Sequence, residues 1–127
     1  MERSLNGHAI LVVEDEPLIA IDIALAFERA GAHVYTSTTL NHALVLAEIA
    51  DLSGAVLDHA LHDQESSPLC ERLKQRKLPF VVYTGLGTLH GACAAGVQVA
   101  KPQRPEVLVT MLGELLGSEP QKSNEPR

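Results

Sequence analysis

The sequence predicts an α/β fold, a doubly wound five-stranded parallel sheet with helices on both faces, and three observations lead there. Short apolar, β-branched runs alternate five times with longer helical stretches along the 127 residues. In the first run, residues 9–13, the apolar residues are consecutive, as in a strand buried on both faces. The length suits one domain, and 46% hydrophobic residues can fill one core. Parallel strands need crossovers, and right-handed crossovers lay helices on both faces of the sheet.

Taken in order, residues 9–13 form the first strand, which ends in the acidic cluster Glu14-Asp15-Glu16. Pro17 suits the first turn of a helix, and Gly31 supplies its stop near residue 30. A second strand covers 33–36. Residues 39–50 read as helix, with Thr38 or Thr39 as cap and Leu40, Leu44 and Ala47 along one face. The third strand, 54–57, stops at Asp58, and a polar loop over 59–67 leads to a helix over 68–77. The fourth strand, 79–83, ends at Thr84-Gly85. Glycines and alanines crowd 86–96, so any helix there is short and weak. A brief fifth strand, 97–100, ends at Lys101-Pro102. A last amphipathic helix covers 105–116, with Leu108, Met111, Leu112 and Leu115 on its apolar side. Residues 1–117 therefore read as one domain and 118–127 as a frayed polar tail.

Composition excludes several classes of function. The net charge is −6, from 10 basic and 16 acidic side chains, and the basic residues are scattered. Nucleic-acid surfaces need clustered Lys and Arg, so no nucleic-acid partner is expected. Aromatic content of 3% disfavours base-stacking platforms. No apolar run is long enough to span a bilayer and nothing resembles a secretory signal, so the expectation is a soluble, cytoplasmic protein. Cys70 and Cys93 make no disulfide framework and read as small apolar fillers.

In open α/β sheets, ligands bind beyond the carboxyl ends of the strands. Glu14 and Asp15 follow the first strand, Asp58 the third, Thr84 the fourth and Lys101 the fifth. Carboxylates gathered on one rim repel one another unless a cation sits among them. Mg²⁺ suits such a cluster, because it accepts one or two carboxylates and completes its shell with water and phosphate oxygens. The lysine supplies a point charge and the threonine a hydrogen bond for a phosphoryl group. One aspartate can then act as nucleophile and become an aspartyl-phosphate. His59 and His62, in Asp-His-Ala-Leu-His-Asp, fit no zinc spacing and read as rim residues that tune access to Asp58.

Together Ile10-Leu11-Val12-Val13-Glu14-Asp15-Glu16, Ala55-Val56-Leu57-Asp58, Tyr83-Thr84-Gly85 and Lys101-Pro102 resemble the receiver domain of two-component response regulators, over roughly residues 7–117. The resemblance implies the flavodoxin-like strand order 2-1-3-4-5. It implies Asp58 as phosphoacceptor, Asp15 as direct Mg²⁺ ligand with Glu14 acting beside it, and the backbone carbonyl of Ala60 as a further ligand. Thr84 matches the switch hydroxyl, Lys101 matches the lysine that pairs with the phosphoryl group, and Lys101-Pro102 matches a bond usually cis in the family. Two features depart from the pattern. The segment between Thr84 and Lys101 is short, so the fourth helix should be stunted or absent. Gln98 or Val99 stands where an aromatic switch residue is usual. The run from Pro79 to Gly85 is similar in part to a single-domain subgroup with Pro-Phe and Ala-Thr-Gly at this strand, with Tyr83 in place of the alanine.

The first helix carries two apolar stripes. Ile19, Ile23, Ala26, Phe27 and Ala30 fall on one side, and Leu18, Ile21 and Leu25 roughly opposite. A helix on a sheet buries one side, so the second stripe should be an exposed partner surface. In receivers this helix is commonly where kinases or phosphotransfer domains dock. The expected protein is a stand-alone, single-domain receiver, a monomer or weak homodimer and not an enzyme, which takes a phosphoryl group from a histidine kinase or phosphotransfer protein onto Asp58. Its output would be protein contacts or service as a phosphate sink. The rival is a receiver-like interaction module that does not use phosphate. A magnesium-dependent phosphatase fits less well, since those enzymes need two aspartates spaced by one residue and Asp15 is followed by Glu16-Pro17.

Overall fold

The architecture, in a computed structural model, describes residues 5–61, 64–85 and 89–117. β1 (Ala9–Val13) is buried at every residue, which requires cover on both of its faces. Pro17 opens α1 (Pro17–Arg29) at the position where a missing N–H is harmless. Gly31 ends it with φ +102, and a Cβ there would collide with Asn6. β2 (His33–Ser37) follows. α2 (Leu40–Leu46) is capped by Thr39, whose Oγ1 accepts the His42 N–H at 3.2 Å. β3 (Leu52–Asp58) comes next. A small antiparallel hairpin, β4 (Ala60–Leu61) and β5 (Gln64–Glu65), stands where the sequence suggested a plain loop. α3 (Ser67–Gln75), β6 (Phe80–Thr84), a 3-10 turn (Gly91–Ala95), β7 (Val97–Ala100) and α4 (Pro105–Gly117) complete the chain.

All five long strands are parallel, in the order β2-β1-β3-β6-β7. With β6 and β7 as the fourth and fifth long strands, this is the predicted 2-1-3-4-5 order. Alternate strand residues feed two cores. Ile10, Val12, Val56 and Val81 pack with Ile23, Phe27, Leu108 and Leu112 on the α1/α4 side. Leu11, Val13, Leu57 and Val82 pack with Leu40, Leu69 and Leu73 on the other. Among the described residues no α-helix lies between β6 and β7; the 3-10 turn stands in that place. No helix among the described residues is long and apolar enough to cross a membrane. His62, Asp63 and the expected tail over 118–127 lie outside the described residues.

Two expectations need correction. The helix expected over 39–50 ends at Leu46. Beyond it, the Arg76 guanidinium takes the carbonyls of Ala47 and Ile49 at 2.7 and 2.9 Å, so a distant cation satisfies groups that a longer helix would bond internally. Cys70 and Cys93 are not separate fillers. They form a disulfide between α3 and the 3-10 turn, with Cα atoms 5.0 Å apart and both residues fully buried. Their spacing of 23 residues gives no sign of this. The pairing arises because the crossover lays both segments on the same face of the sheet.

Candidate functional site

The strand ends deliver the expected residues to one rim. Glu14 and Asp15 leave β1, Asp58 ends β3, Thr84 ends β6, and Lys101 follows β7 directly. One carboxylate oxygen from each of Glu14, Asp15 and Asp58 lies within 4.8 Å of the others. Lys101 Nζ donates to Asp58 Oδ2 at 2.8 Å, and the Ala60 N–H reaches Asp58 Oδ1 at 3.3 Å. The Lys101 N–H donates to the Thr84 carbonyl at 2.9 Å, which ties the last strand to the fourth at the rim. Glu14, Asp58 and Thr84 are buried, and these five residues line one cleft together with Ala60 and His59.

Burial pushes the Glu14 carboxyl up from 4.5 to about 7. The Glu16 N–H, donating to Glu14 Oε2 at 3.1 Å, opposes this, while the Asp58 charge adds to it. Partial burial pulls the Lys101 ammonium down, but the hydrogen bond and charge of Asp58, with Glu14 behind, outweigh it and hold it above the ordinary lysine range. Glu14 Oε1 is buried without a hydrogen-bond partner. A buried carboxylate oxygen left unmatched costs free energy. Three crowded oxygen donors of one sign suit a small hard cation, so Mg²⁺ fits this donor set. Glu14, Asp15 and Asp58, with the Ala60 carbonyl that the receiver pattern implies, are the groups that would hold it.

Two attachments of the rim were not legible in the sequence. His59 lines the cleft, as expected of a rim residue, with its Nδ1 buried and unpartnered. Its carbonyl is held by Ser66 through both the N–H at 2.9 Å and Oγ at 3.1 Å, which anchors the segment carrying Asp58 and Ala60 to the start of α3. Tyr83, buried beside Asp58, joins its hydroxyl to the backbone of Gln103. No periodicity distinguishes Tyr83 from a strand residue that only packs. Gln98 is exposed and Val99 buried, and the bond between Lys101 and Pro102 is cis, as the receiver pattern implied.

The second stripe of α1 is exposed as expected, with Leu18 at 78%, Ile21 at 52% and Leu25 at 40%. Ile19 departs from the expectation: placed on the buried side by its spacing, it is 41% exposed. The small residues Ala20 and Ala24 take the sheet-facing positions with Ile23 and Phe27, which rotates Ile19 outward.

No protein-family model matches the chain. Among curated proteins it is 31% identical over 87 residues to the transcriptional regulatory protein TcrA of Mycobacterium tuberculosis, an alignment covering 67% of this chain and 34% of that protein. The chain thus spans about a third of that relative's length. Among solved structures, SdrG from Sphingomonas melonis is 31% identical, covers 91% of this chain and 99% of its own, and superposes with a TM-score of 0.72. A CheY-like response regulator receiver domain protein from Methanospirillum hungatei is 24% identical, with coverage of 91% and 98% and a TM-score of 0.79. A parallel sheet in this order, with this rim at its carboxyl edge, defines a receiver. The chain belongs to the response regulator receiver family.

Proposed function

We propose that this chain is a phosphoacceptor response regulator receiver whose Asp58 takes a phosphoryl group from a phosphohistidine on a sensor kinase or phosphotransfer protein. The observation that carries the reading is the 2.8 Å pair between Lys101 Nζ and Asp58 Oδ2, set against the crowded carboxylates of Glu14 and Asp15. An Asp58 oxygen attacks phosphorus, a new P–O bond forms, and the P–N bond to the imidazole breaks. The imidazole leaves with a proton taken from solvent. Mg²⁺ bound at the acidic cluster supplies positive charge that lets two anions approach. The Ala60 N–H orients Asp58, Lys101 turns from the carboxylate to the arriving phosphoryl oxygens, and the Thr84 hydroxyl donates to another. The added charge redirects Lys101 and Thr84, and this is the local event that changes affinity for a partner. The protein is not an enzyme with a turnover substrate of its own, and its output is protein contact or phosphate storage.

Leu18, Ile21 and Leu25 form the docking stripe for the phosphoryl donor. Exposed apolar side chains on a helix that opens directly after Glu14-Asp15-Glu16 would bring that donor to the rim. The test is labelling by acetyl phosphate or a phosphorylated kinase, with and without Mg²⁺, in wild type and Asp58→Asn. Label is expected only in wild type with Mg²⁺. Label that persists in the variant overturns the acceptor assignment. A wild type that neither takes label nor binds beryllofluoride supports the phosphate-independent module instead, for which Gln98 or Val99 in place of an aromatic and the short segment between Thr84 and Lys101 are the motivating features.

A further inference from the structure

Lys101 has a strand's width to cross. It follows β7, while its partner Asp58 ends β3, and β6 lies between them. Neighbouring strands are about 4.8 Å apart, so the ammonium must cross the full width of β6. The residue it crosses is Tyr83, which stands in register with Asp58 on one side and with Val99, two residues before Lys101, on the other. Lys101 Nζ lies 5.2 Å from the centre of the Tyr83 ring, within cation–π range, while it holds Asp58 at 2.8 Å. The same side chain grips the lysine's own chain. Tyr83 Oη donates to the Gln103 carbonyl at 3.1 Å and accepts the Gln103 N–H at 3.0 Å, two residues beyond Lys101. A buried ring with both faces of its hydroxyl bonded to one backbone unit has little freedom to move.

We infer that Tyr83 is a positioning residue for Lys101. Its ring forms the rail along which the lysine stem reaches Asp58, and its hydroxyl fixes the β7–α4 connection from which that stem departs. The inference rests on the reading of Asp58 as phosphoacceptor and adds the residue that aims the phosphoryl-pairing cation. Loss of the ring removes both supports. Loss of the hydroxyl alone removes the second, since a phenylalanine face still attracts an ammonium.

The test uses the beryllofluoride–Mg²⁺ complex as phosphoryl mimic and calorimetry on the full chain. The variants are Tyr83→Phe and Tyr83→Ala, each alone and combined with Lys101→Ala, with Mg²⁺ alone titrated as control. Expected losses in beryllofluoride affinity are roughly 10-fold for Tyr83→Ala and about 3-fold for Tyr83→Phe. Affinity for Mg²⁺ alone should not fall, because Lys101 is not a metal ligand and pairs with Asp58 in competition with the ion. With Lys101 already removed, either Tyr83 change should cost less than about 2-fold, because coupled residues are not additive. The inference is overturned by equal losses in both backgrounds, by Mg²⁺ affinity falling in parallel, or by Tyr83 variants that bind like wild type. Should Tyr83→Ala unfold by circular dichroism, the Tyr83→Phe pair decides alone. A wild type that binds no beryllofluoride overturns the phosphoacceptor reading and this inference with it, whereas normal wild-type binding with unaffected variants removes only the latter.

Discussion

The rim has two halves that obey different constraints. On the β1/β3 half, Glu14 and Asp58 are each held by a backbone group two residues further along, the Glu16 and Ala60 N–H groups. On the β6/β7 half, Lys101 has long-range partners, Asp58 and the ring of a tyrosine clamped to Gln103, and the 3-10 turn before β7 is stapled by a disulfide to α3. The acidic half keeps the receiver pattern residue by residue. The other half has Val99 buried near where the pattern has an aromatic and, among the described residues, a 3-10 turn in place of a fourth helix, with Tyr83 and the cystine bracing it. An acidic cluster can thus be shaped by local geometry while the facing half of the same rim is braced by tertiary contacts.

The sharpest way to break the comparison is on the acidic half: Asp58→Asn should abolish acetyl-phosphate labelling, read by autoradiography or by mass. On the other half, Lys101→Ala should slow labelling roughly 10²-fold while leaving Mg²⁺ binding intact, which stopped-flow labelling and calorimetry would separate. The stapled half should also carry more of the stability. Reducing the Cys70–Cys93 bond, which closes 23 residues, is expected to lower the unfolding free energy by about 3 kcal/mol in urea titrations, with the acidic cluster still able to bind Mg²⁺.

Glu14 predicts a pH effect confined to the acidic half. Its folded-state pKa of about 7 lies above the model-compound 4.5, so the folded state binds this proton more tightly. That support is present below pH 4.5 and is lost as pH rises through 7. Without divalent cation, stability should therefore fall across this window, and Glu14→Gln should flatten the slope. Added Mg²⁺ should raise stability most above pH 7, where Glu14 is ionised. The smallest structural effect belongs to the α1 stripe. Ile21→Glu and Leu25→Glu should change stability by no more than about 0.5 kcal/mol, because both side chains are exposed. They should nevertheless slow transfer from a kinase while leaving labelling by acetyl phosphate unchanged; equal loss with both donors would remove the docking role.

Five strands and the rim residues were legible in the chain because each depends on neighbours in sequence, while the strand order followed from the receiver resemblance. An unbroken apolar run such as residues 9–13 reads as a doubly covered strand, and the residue after such a strand stands at the carboxyl edge of a parallel sheet. Ile19 was misplaced because helical spacing defines stripes but not which one the sheet takes; the small Ala20 and Ala24 let α1 approach on their side. The end of α2 at Leu46 was hidden for a similar reason, since Arg76, far along the chain, satisfies the carbonyls there. By itself, then, the sequence determined a parallel α/β sheet with Glu14, Asp15, Asp58, Thr84 and Lys101 on one edge. Only the tertiary structure decided that Cys70 meets Cys93, that Ser66 anchors His59, and that Tyr83 lies under Lys101. Those pairs join segments on different elements, and their contact depends on how crossovers stack helices and neighbouring strands, which no local pattern encodes.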